Sequence, residues 1–487
     1  MNNKSFGLDN RLKLCAELVR KNSRLADIGT DHAYLPIWLC KNNLVRCAIA
    51  ADINEAPLRS GTSAVKKFGL EHMIETRISD GLSEISADEA DDIVIAGMGG
   101  ELIARIIDNA EWLRDRKYHL VLQPMTKPEK LREYLYGNGF YIELEKAVEA
   151  EGKLYTVMSV CYSGECKAFS DNLKIYYGEI NPLHSECDRR YIEKISASLC
   201  KKGNGILSAD PYSPEAKKYI EYGLAMLQYS KTGEIPIMTK VYDIYKYIDS
   251  FAPFDTAMDF DNVGIMVGDK NAFVKKALVA LDITADVVKE AQKEGADLVI
   301  SHHPVIFTPL KSLVSNNVVY MLAQCGINAI SAHTNLDLSN PGVNTCFAEA
   351  MCLEEFTLTD GMALGNLSAE NPLTPRQLAE YTKEKLHCEG VRYTDSSNKI
   401  RRVALAGGAC GSYIYRAKEL GADAFVTGEI KHNVILEAND MGLTVIEAGH
   451  YKTEDLVTDL LVEKLGRQFE NVEFIKSKTF SDCIKYV

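Results

Sequence analysis

The chain has 487 residues, 46% apolar and 25% charged, the balance of a soluble globular protein with room for two to four domains. A formal charge of −13 counts against a surface built wholly for nucleic acid, and no stretch approaches the roughly 20 apolar residues that cross a bilayer, so no membrane partner is expected. Its 13 cysteines are scattered with no CxxC pair, which argues against a disulfide framework or zinc ribbon and for a reduced, cytoplasmic setting.

From the N-terminus, short apolar runs alternate with helical segments: RLADIGT, CAIAADI, DIVIAGMGG, HLVLQPM and LYTVMSV read as strands. The pattern predicts an α/β fold with an open, mostly parallel, doubly wound sheet, whose ligands bind beyond the carboxyl ends of the strands. The first strand ends in Asp27 and Gly29, followed by Asp31, and the second ends in Asp52. Asp52 is placed to accept hydrogen bonds from a ribose diol, while Gly29 lets backbone approach a ligand. Further on come Asp80 and Gly81, then Gly97 in a glycine-rich turn after the fourth strand. A dinucleotide would want a full GxGxxG loop for its pyrophosphate, and that loop is absent. S-adenosylmethionine carries no phosphate and suits the set better. Any one of these residues could merely cap a helix or make a turn, but several together at successive strand ends favour a cofactor site.

Between about residues 166 and 237 the texture turns polar and tyrosine-rich. Residues 185–202 and Pro214 to Gln228 carry amphipathic spacing, and GNGILSADPYSPE reads as the turn of a helical hairpin. Arg189, Arg190, Lys194, Lys201, Lys202, Lys217 and Lys218 give it a basic character that suits RNA, although a solvated helix face explains such residues equally well. KTGEIPIMTK reads as a linker and VYDIYKYIDSF as a new helix. The expected division is 1–165, 166–237 and 238–487. Nearly all of the excess negative charge lies in the last part, a poor polyanion binder but a reasonable holder of cations.

That last part contains LVISHHPVIF, a buried-strand pattern that ends in His302 and His303 before a proline. His333, His432 and His450 lie in other short motifs, accompanied by Asp337, Glu429 and Glu454. Adjacent residues of a strand point to opposite sides, so His302 and His303 are expected to serve one ion each, with a carboxylate bridging the two. His450 and Glu454 share a face if a helix begins there. Mixed imidazole and carboxylate donors suit zinc, manganese or iron, and a pair of such ions can activate a shared water for hydrolysis.

The motifs DIGTDHAYLP, AADINEAPL, SDGL, IAGMGGELI and LQPM, with the helical hairpin after them, resemble the TrmK family of tRNA adenine-N1 methyltransferases over residues 8 to 230. The resemblance implies a Rossmann-like class I methyltransferase sheet, S-adenosylmethionine as cofactor and tRNA as partner. Asp27, Gly29, Asp52, Asp80, Gly81 and Gly97 would hold the cofactor. Adenine N1 already offers a lone pair, so no proton need be removed; Asp31 is a candidate to stabilise the cationic product or to position the base. Methylation of a small molecule is the alternative.

DFDNVGIMVGD, LVISHHPVIF, AHTNLD, GGACGS, VTGEIKH and GHYKTE resemble the NIF-three-like proteins, also called GTP cyclohydrolase I type 2-like, over residues 239 to 487. Implied are a two-lobed α/β domain, two divalent metal ions on His302, His303, Asp337, His450 and Glu454, and a homo-oligomer. His333, Glu429 and His432 would line the cavity. The small-molecule substrate stays open, and so does a non-catalytic role as a metal-bound scaffold. Gly361-Met362-Ala363-Leu364-Gly365 stands where relatives carry a GxGRxG-like turn, so an arginine is missing. An inserted domain of longer relatives is missing too, which predicts lobes near 240–355 and 365–487 joined almost directly.

Overall fold

The computed structural model describes residues 7–166, 173–211, 213–368 and 371–487. Residues 167–172, where the change of texture begins, and Tyr212 in the turn of the hairpin lie outside them. The chain separates into two compact units, Met1–Gly205 with Tyr219–Pro236, and Ile206–Lys218 with Ile237–Val487. No helix among the described residues is long and apolar enough to cross a membrane.

The first unit is built on β1 (Arg24–Ile28), β2 (Cys47–Asp52), β3 (Ile74–Ile78), β4 (Asp92–Gly99), β5 (His119–Thr126), β6 (Phe140–Ala150) and β7 (Lys153–Tyr162). Their order is β3-β2-β1-β4-β5-β7-β6, parallel through β5, with β7 and β6 added antiparallel. The mostly parallel expectation holds. Side chains alternate along β4: Ile93 and Ile95 join the core that contains Ile28, Ile103 and Leu122, while Val94 joins Leu25 and Val121 on the other face. Both faces are thus dry, which is why these strands read as unbroken apolar runs. The neighbours of β1 are β2 and β4, so the chain reverses its winding there and opens a crevice at the carboxyl ends.

Helices Glu186–Leu207 and Pro214–Thr232 form the expected hairpin, with one change. The glycines of GNGIL continue the first helix instead of breaking it, so the turn is shorter than the composition implied. The hairpin starts from a buried ion pair: Arg132 Nη2 meets Glu145 at 2.7 Å, and Tyr191 lies 3.3 Å from Arg132. Ala147 N–H donates to Asp188 at 2.7 Å, fixing the first helix to β6.

The second unit has two sheets. β8 (Gly264–Val267), β9 (Lys276–Ala280), β10 (Leu298–Ser301) and β11 (Asn328–Ser331) belong to one. β12 (Leu353–Thr359), β13 (Met362–Leu367), β14 (Arg392–Tyr393), β15 (Arg402–Ala406), β16 (Ala424–Thr427) and β17 (Thr444–Glu447) form the other, in the order β12-β13-β15-β16-β17-β14. The predicted boundary at the C-terminus is corrected here. β18 (Glu473–Lys476) pairs with β9, giving β18-β9-β10-β11-β8, and Val457, Leu461 and Leu465 of helix Leu456–Gln468 bury in the first lobe's core. The chain therefore returns to its first lobe, because that helix carries an apolar stripe at i, i+4, i+8 matching the stripe of Val241–Phe251.

β12 and β13 close on Asp360-Gly361, both with positive φ (52° and 74°), the backbone of a tight hairpin turn. No inserted domain separates them. Arg416 reaches this turn from another element and pairs with Asp360 at 2.6 Å, so a guanidinium stands nearby although the motif lacks one.

Candidate functional sites at the strand ends

In the first unit, Gly29 and Thr30 donate their N–H groups to Ala51 O at 2.8 and 3.0 Å, drawing the end of β1 toward the end of β2. Gly29 has φ of +72°, and a Cβ there would lie 2.0 Å from Met98 Cε, whose side chain leans over the crevice from β4. Gly97, with φ of +82°, opens the end of β4. Asp27 is buried; burial first, then the charge of Asp52, push its carboxyl up to about 6. Asp52 is half-buried and caps the turn by accepting from Asn54 N–H at 2.7 Å, while Asp80 is exposed beside Gly81, whose φ is +59°. Exposed Ile53, Ile78 and Tyr34 stand at the same sheet end. Carboxylates for a diol, bare backbone and apolar side chains are what a nucleoside-bearing sulfonium cofactor requires, so the residues present fit it.

Asp31 is solvated, with 78% of its side chain accessible, and lies 3.2 Å from His32 Nε2. Of the basic residues on the hairpin, Arg189 pairs with Glu186 and Arg190 with Glu149, each at 2.6 Å, and Lys194 donates to Leu154 O at 2.8 Å. The freely presented positive charge is smaller than the sequence implied.

In the second unit, β10 ends at Ser301, so His302 and His303 stand just beyond the strand and not within it. Their rings stay close, with centroids 5.0 Å apart and planes tilted by 44°, so they do not point to opposite sides as an extended strand would place them. His302 is fully buried; its Nδ1–H donates to Ala332 O at 2.9 Å, which leaves Nε2 facing Asp337 Oδ1 at 3.6 Å and Glu454 Oε1 at 3.9 Å. His303 Nδ1–H donates to Asp282 at 2.9 Å, and its Nε2 lies 3.0 Å from Glu454 Oε2. His450 opens the helix His450–Glu454, as the spacing predicted, and its Nε2 is 2.9 Å from the same Glu454 oxygen. His450 Nδ1–H donates to Glu429 at 2.8 Å. Three overlapping donor sets result: His302 with Asp337 and Glu454, and His303 with His450 and Glu454, which share one carboxylate, and His302 with His303 and His333.

A third imidazole adjoins them. His333 Nδ1–H donates to Asp261 at 2.9 Å, and its ring lies 5.1 Å from that of His302 and 5.5 Å from that of His303. Asp261, with a fully buried side chain, also accepts from Thr334 N–H and Oγ1–H at 3.0 and 2.6 Å. Three of the four Nδ1 atoms thus meet a carboxylate and the fourth a carbonyl, the usual way of fixing a ring so that Nε2 serves as ligand. His432 is corrected: it is exposed at the start of helix His432–Asp440 and is not among the described residues that line the cleft. Asp261, Asp282 and Thr334 were not singled out from sequence. Asp282 and Asp261 lie 21 and 72 residues from the histidines they hold, while Thr334 sits inside HTNLD and Asp261 inside DFDNVGIMVGD without standing out as a ligand type; the weak signal for Asp282 was an acid directly after an apolar strand in LVALD.

The electrostatics describe a site built around positive charge. Burial pushes the His302 imidazole down to about 3, so it stays neutral. Burial, reinforced by Glu454, raises the Asp337 carboxyl well above the usual range. Burial also opposes charge on Glu454, but hydrogen bonds from His303 and His450 outweigh it and hold that carboxyl low. For His303 burial lowers and the contacts with Asp282 and Glu454 raise, the latter winning at about 10. Glycines make the seat. A Cβ on Gly408, where φ is +68°, would lie 2.0 Å from Glu454 Oε1, and one on Gly428 2.8 Å from His450 Cα. His302 Nε2 and Asp337 Oδ1 are buried with no hydrogen-bond partner. Such atoms carry a desolvation penalty that a cation between them would remove, so the residues fit divalent metal ions. A cleft of about 600 Å3 opens from the site, lined also by Phe260, Phe307, Cys410 and Tyr413.

The family model Duf34/NIF3 (NGG1p interacting factor 3) matches residues 239–482, and the model Methyltransferase domain matches residues 8–158. A GTP cyclohydrolase 1 type 2 homolog of Clostridium perfringens is 30% identical over 261 residues, which cover 51% of this chain and 100% of the relative. A Staphylococcus aureus homolog of the same description is 27% identical over 366 aligned positions, again 51% of this chain and 100% of the relative, so the relative carries the insertion that this chain lacks. The solved structure of the Bacillus subtilis M1A22 tRNA methyltransferase TrmK shares 31% identity, covering 47% of this chain and 98% of its own, with a TM-score of 0.41.

Proposed function

Since the chain belongs to the Duf34/NIF3 family over residues 239–482 and carries a methyltransferase domain before it, we propose a bifunctional protein. Its first module transfers a methyl group from S-adenosylmethionine to N1 of an adenine in tRNA. Its second is a dinuclear metal centre that hydrolyses a nucleotide-like or other small substrate.

For the first module, Asp52 orients the cofactor ribose, Gly29 and Gly97 admit the reacting groups to bare backbone, and Asp27 and Asp80 complete the acidic rim. The DIGTDHAYLP and IAGMGGE motifs quoted above support tRNA as acceptor. Because N1 is already nucleophilic, the work of these side chains is alignment and exclusion of water, with no base needed. Incubation of the purified chain with labelled S-adenosylmethionine and unmodified tRNA tests this directly. Label in tRNA is the expected result, and label confined to a metabolite would defeat it.

For the second module, the observation that carries the reading is that Glu454 is common to two of the donor sets, one with His302 and Asp337 and one with His303 and His450. Two divalent cations would supply Lewis acidity and a means of activating water. The chain's own part is to hold them: His302, Asp337 and Glu454 on one side, His303, His450 and Glu454 on the other. Asp282 and Glu429 fix the rings of His303 and His450 from behind. His333, held by Asp261, faces the cleft where a substrate would sit. A metal-dependent turnover lost in both H302A and D337A is expected. A scaffold would lose assembly or stability in these variants with no turnover to lose.

A further inference from the structure

The well-covered guanidinium groups of the first module have carboxylates to match. Arg132 meets Glu145 at 2.7 Å, and Arg77 meets Glu75 and Glu89 at 2.7 and 2.9 Å. Arg11 is different. Its side chain is only 19% exposed, yet its short contact is a neutral amide: Nη1–H donates to Gln123 Oε1 at 2.8 Å. The carboxylate paired with it, Asp9, stands farther off at 3.4 Å and is itself partly solvated.

The position of this cation follows from its neighbours. Asp9 caps the first helix by accepting from Leu12 N–H at 2.8 Å, which sets Arg11 in the first turn. Gln123 is buried on β5, and the Oε1 that receives Arg11 also accepts from Gly97 N–H at 3.1 Å. A Cβ on Gly97 would lie 3.2 Å from Arg11 Nη1. The guanidinium therefore rests over the backbone where β4 ends, at the crevice where the sheet reverses its winding. The acidic residues for the cofactor stand at the ends of β1, β2 and β3, so Arg11 occupies the opposite, β4–β5 side.

A cation there constrains what it touches. Methylation places positive charge on adenine, and a guanidinium against N1 would oppose that charge. A phosphodiester oxygen suits it better, since Arg offers several N–H donors in a fixed fork and is weakly hydrated. The neutral partner Gln123 orients the group without cancelling its charge, which a carboxylate in the same place would do.

We propose that Arg11 grips a backbone phosphate beside the acceptor nucleotide and so contributes to the affinity for tRNA. This rests on the tRNA methylation proposed above. Arg11 is a binding residue, and Gln123 positions it.

Steady-state methylation of a tRNA transcript by the full chain, over a range of salt, tests the assignment. R11Q is expected to raise KM for tRNA about tenfold or more, with kcat and cofactor affinity within about twofold of the original. The slope of log affinity for tRNA against log salt should fall by about one phosphate contact. Arg11→Lys should recover part of the KM effect and keep the slope. R11M, which retains the apolar stem, serves in place of R11Q should the latter fail to fold. Unchanged KM and salt slope with reduced kcat, or weakened cofactor binding, would show that Arg11 only braces Gly97 and would overturn the proposal. Absence of tRNA labelling by the unsubstituted chain is a separate result that removes the reading beneath it as well.

Discussion

His302 Nε2 and Asp337 Oδ1 face each other at 3.6 Å, both buried and both without a hydrogen-bond partner. Two acceptor-capable atoms do not attract one another. The arrangement makes sense when a cation joins them, and Glu454 Oε1, 3.9 Å from the same nitrogen, completes a third side.

Chelation should therefore lower stability. A ligand present at about 100 times its Kd stabilises the form that binds it by about 2.7 kcal/mol. We expect metal-loaded protein to melt several degrees above chelator-treated protein when followed by circular dichroism, with the difference abolished in D337A. Equal melting of loaded and stripped protein would contradict this.

The carboxylates behind the rings should matter nearly as much as the ligands. Asp282 touches no donor set of its own, yet D282N is expected to weaken metal affinity about 10- to 100-fold by freeing the His303 ring. Competition with a chromophoric chelator measures it. Affinity unchanged within about twofold would show that His303 needs no such brace.

Asp27 gives the first module a pH dependence whose sign is fixed by its raised folded-state carboxyl, about 6 against 3.8. Below pH 3.8 both folded and unfolded chains hold the proton, so the group has no effect. As pH rises toward 6 the unfolded chain releases it first, and the cofactor-free module loses stability, by about 3 kcal/mol in total. Above pH 6 the loss is complete and constant. D27N should remove this slope. The chain's two tryptophans, Trp38 and Trp112, both lie in this module, so denaturant titration read by tryptophan fluorescence reports on it alone.

The Arg132–Glu145 pair predicts a large effect from a single truncation. Both side chains are fully buried, and Glu145 also accepts from Thr156 Oγ1–H at 2.6 Å and Glu179 N–H at 3.0 Å. R132A strands a carboxylate among these donors and is expected to cost about 3–5 kcal/mol. R132M with Glu145→Gln should cost much less, since no charge is then left unpaired. Equal losses in the two proteins would show that packing dominates.

Where sequence succeeded and failed has a physical basis. Residues at strand ends, such as Gly29, Asp52 and His302, were legible because a buried run that stops at a polar or glycine residue marks a local event, and Asp337 was legible from its place in the short HTNLD motif. The pairing of Gln123 with Arg11 was not, because their contact spans 112 positions, although Gln123 lies in the LQPM motif. Asp261 is 72 residues from His333 for the same reason. The return of β18 to the first lobe escaped because strand pairing is a long-range choice that a four-residue run does not encode. His432 shows the opposite error, a histidine in a shared motif that the fold turns to solvent.

The number of ions held tests the dinuclear centre most directly. Zinc or manganese titration of the full chain, with elemental analysis after dialysis, should give two ions per chain, and none retained by E454A, which removes the carboxylate common to the two proposed sites. A metal-replete chain that holds none, or E454A that still holds two, would contradict it.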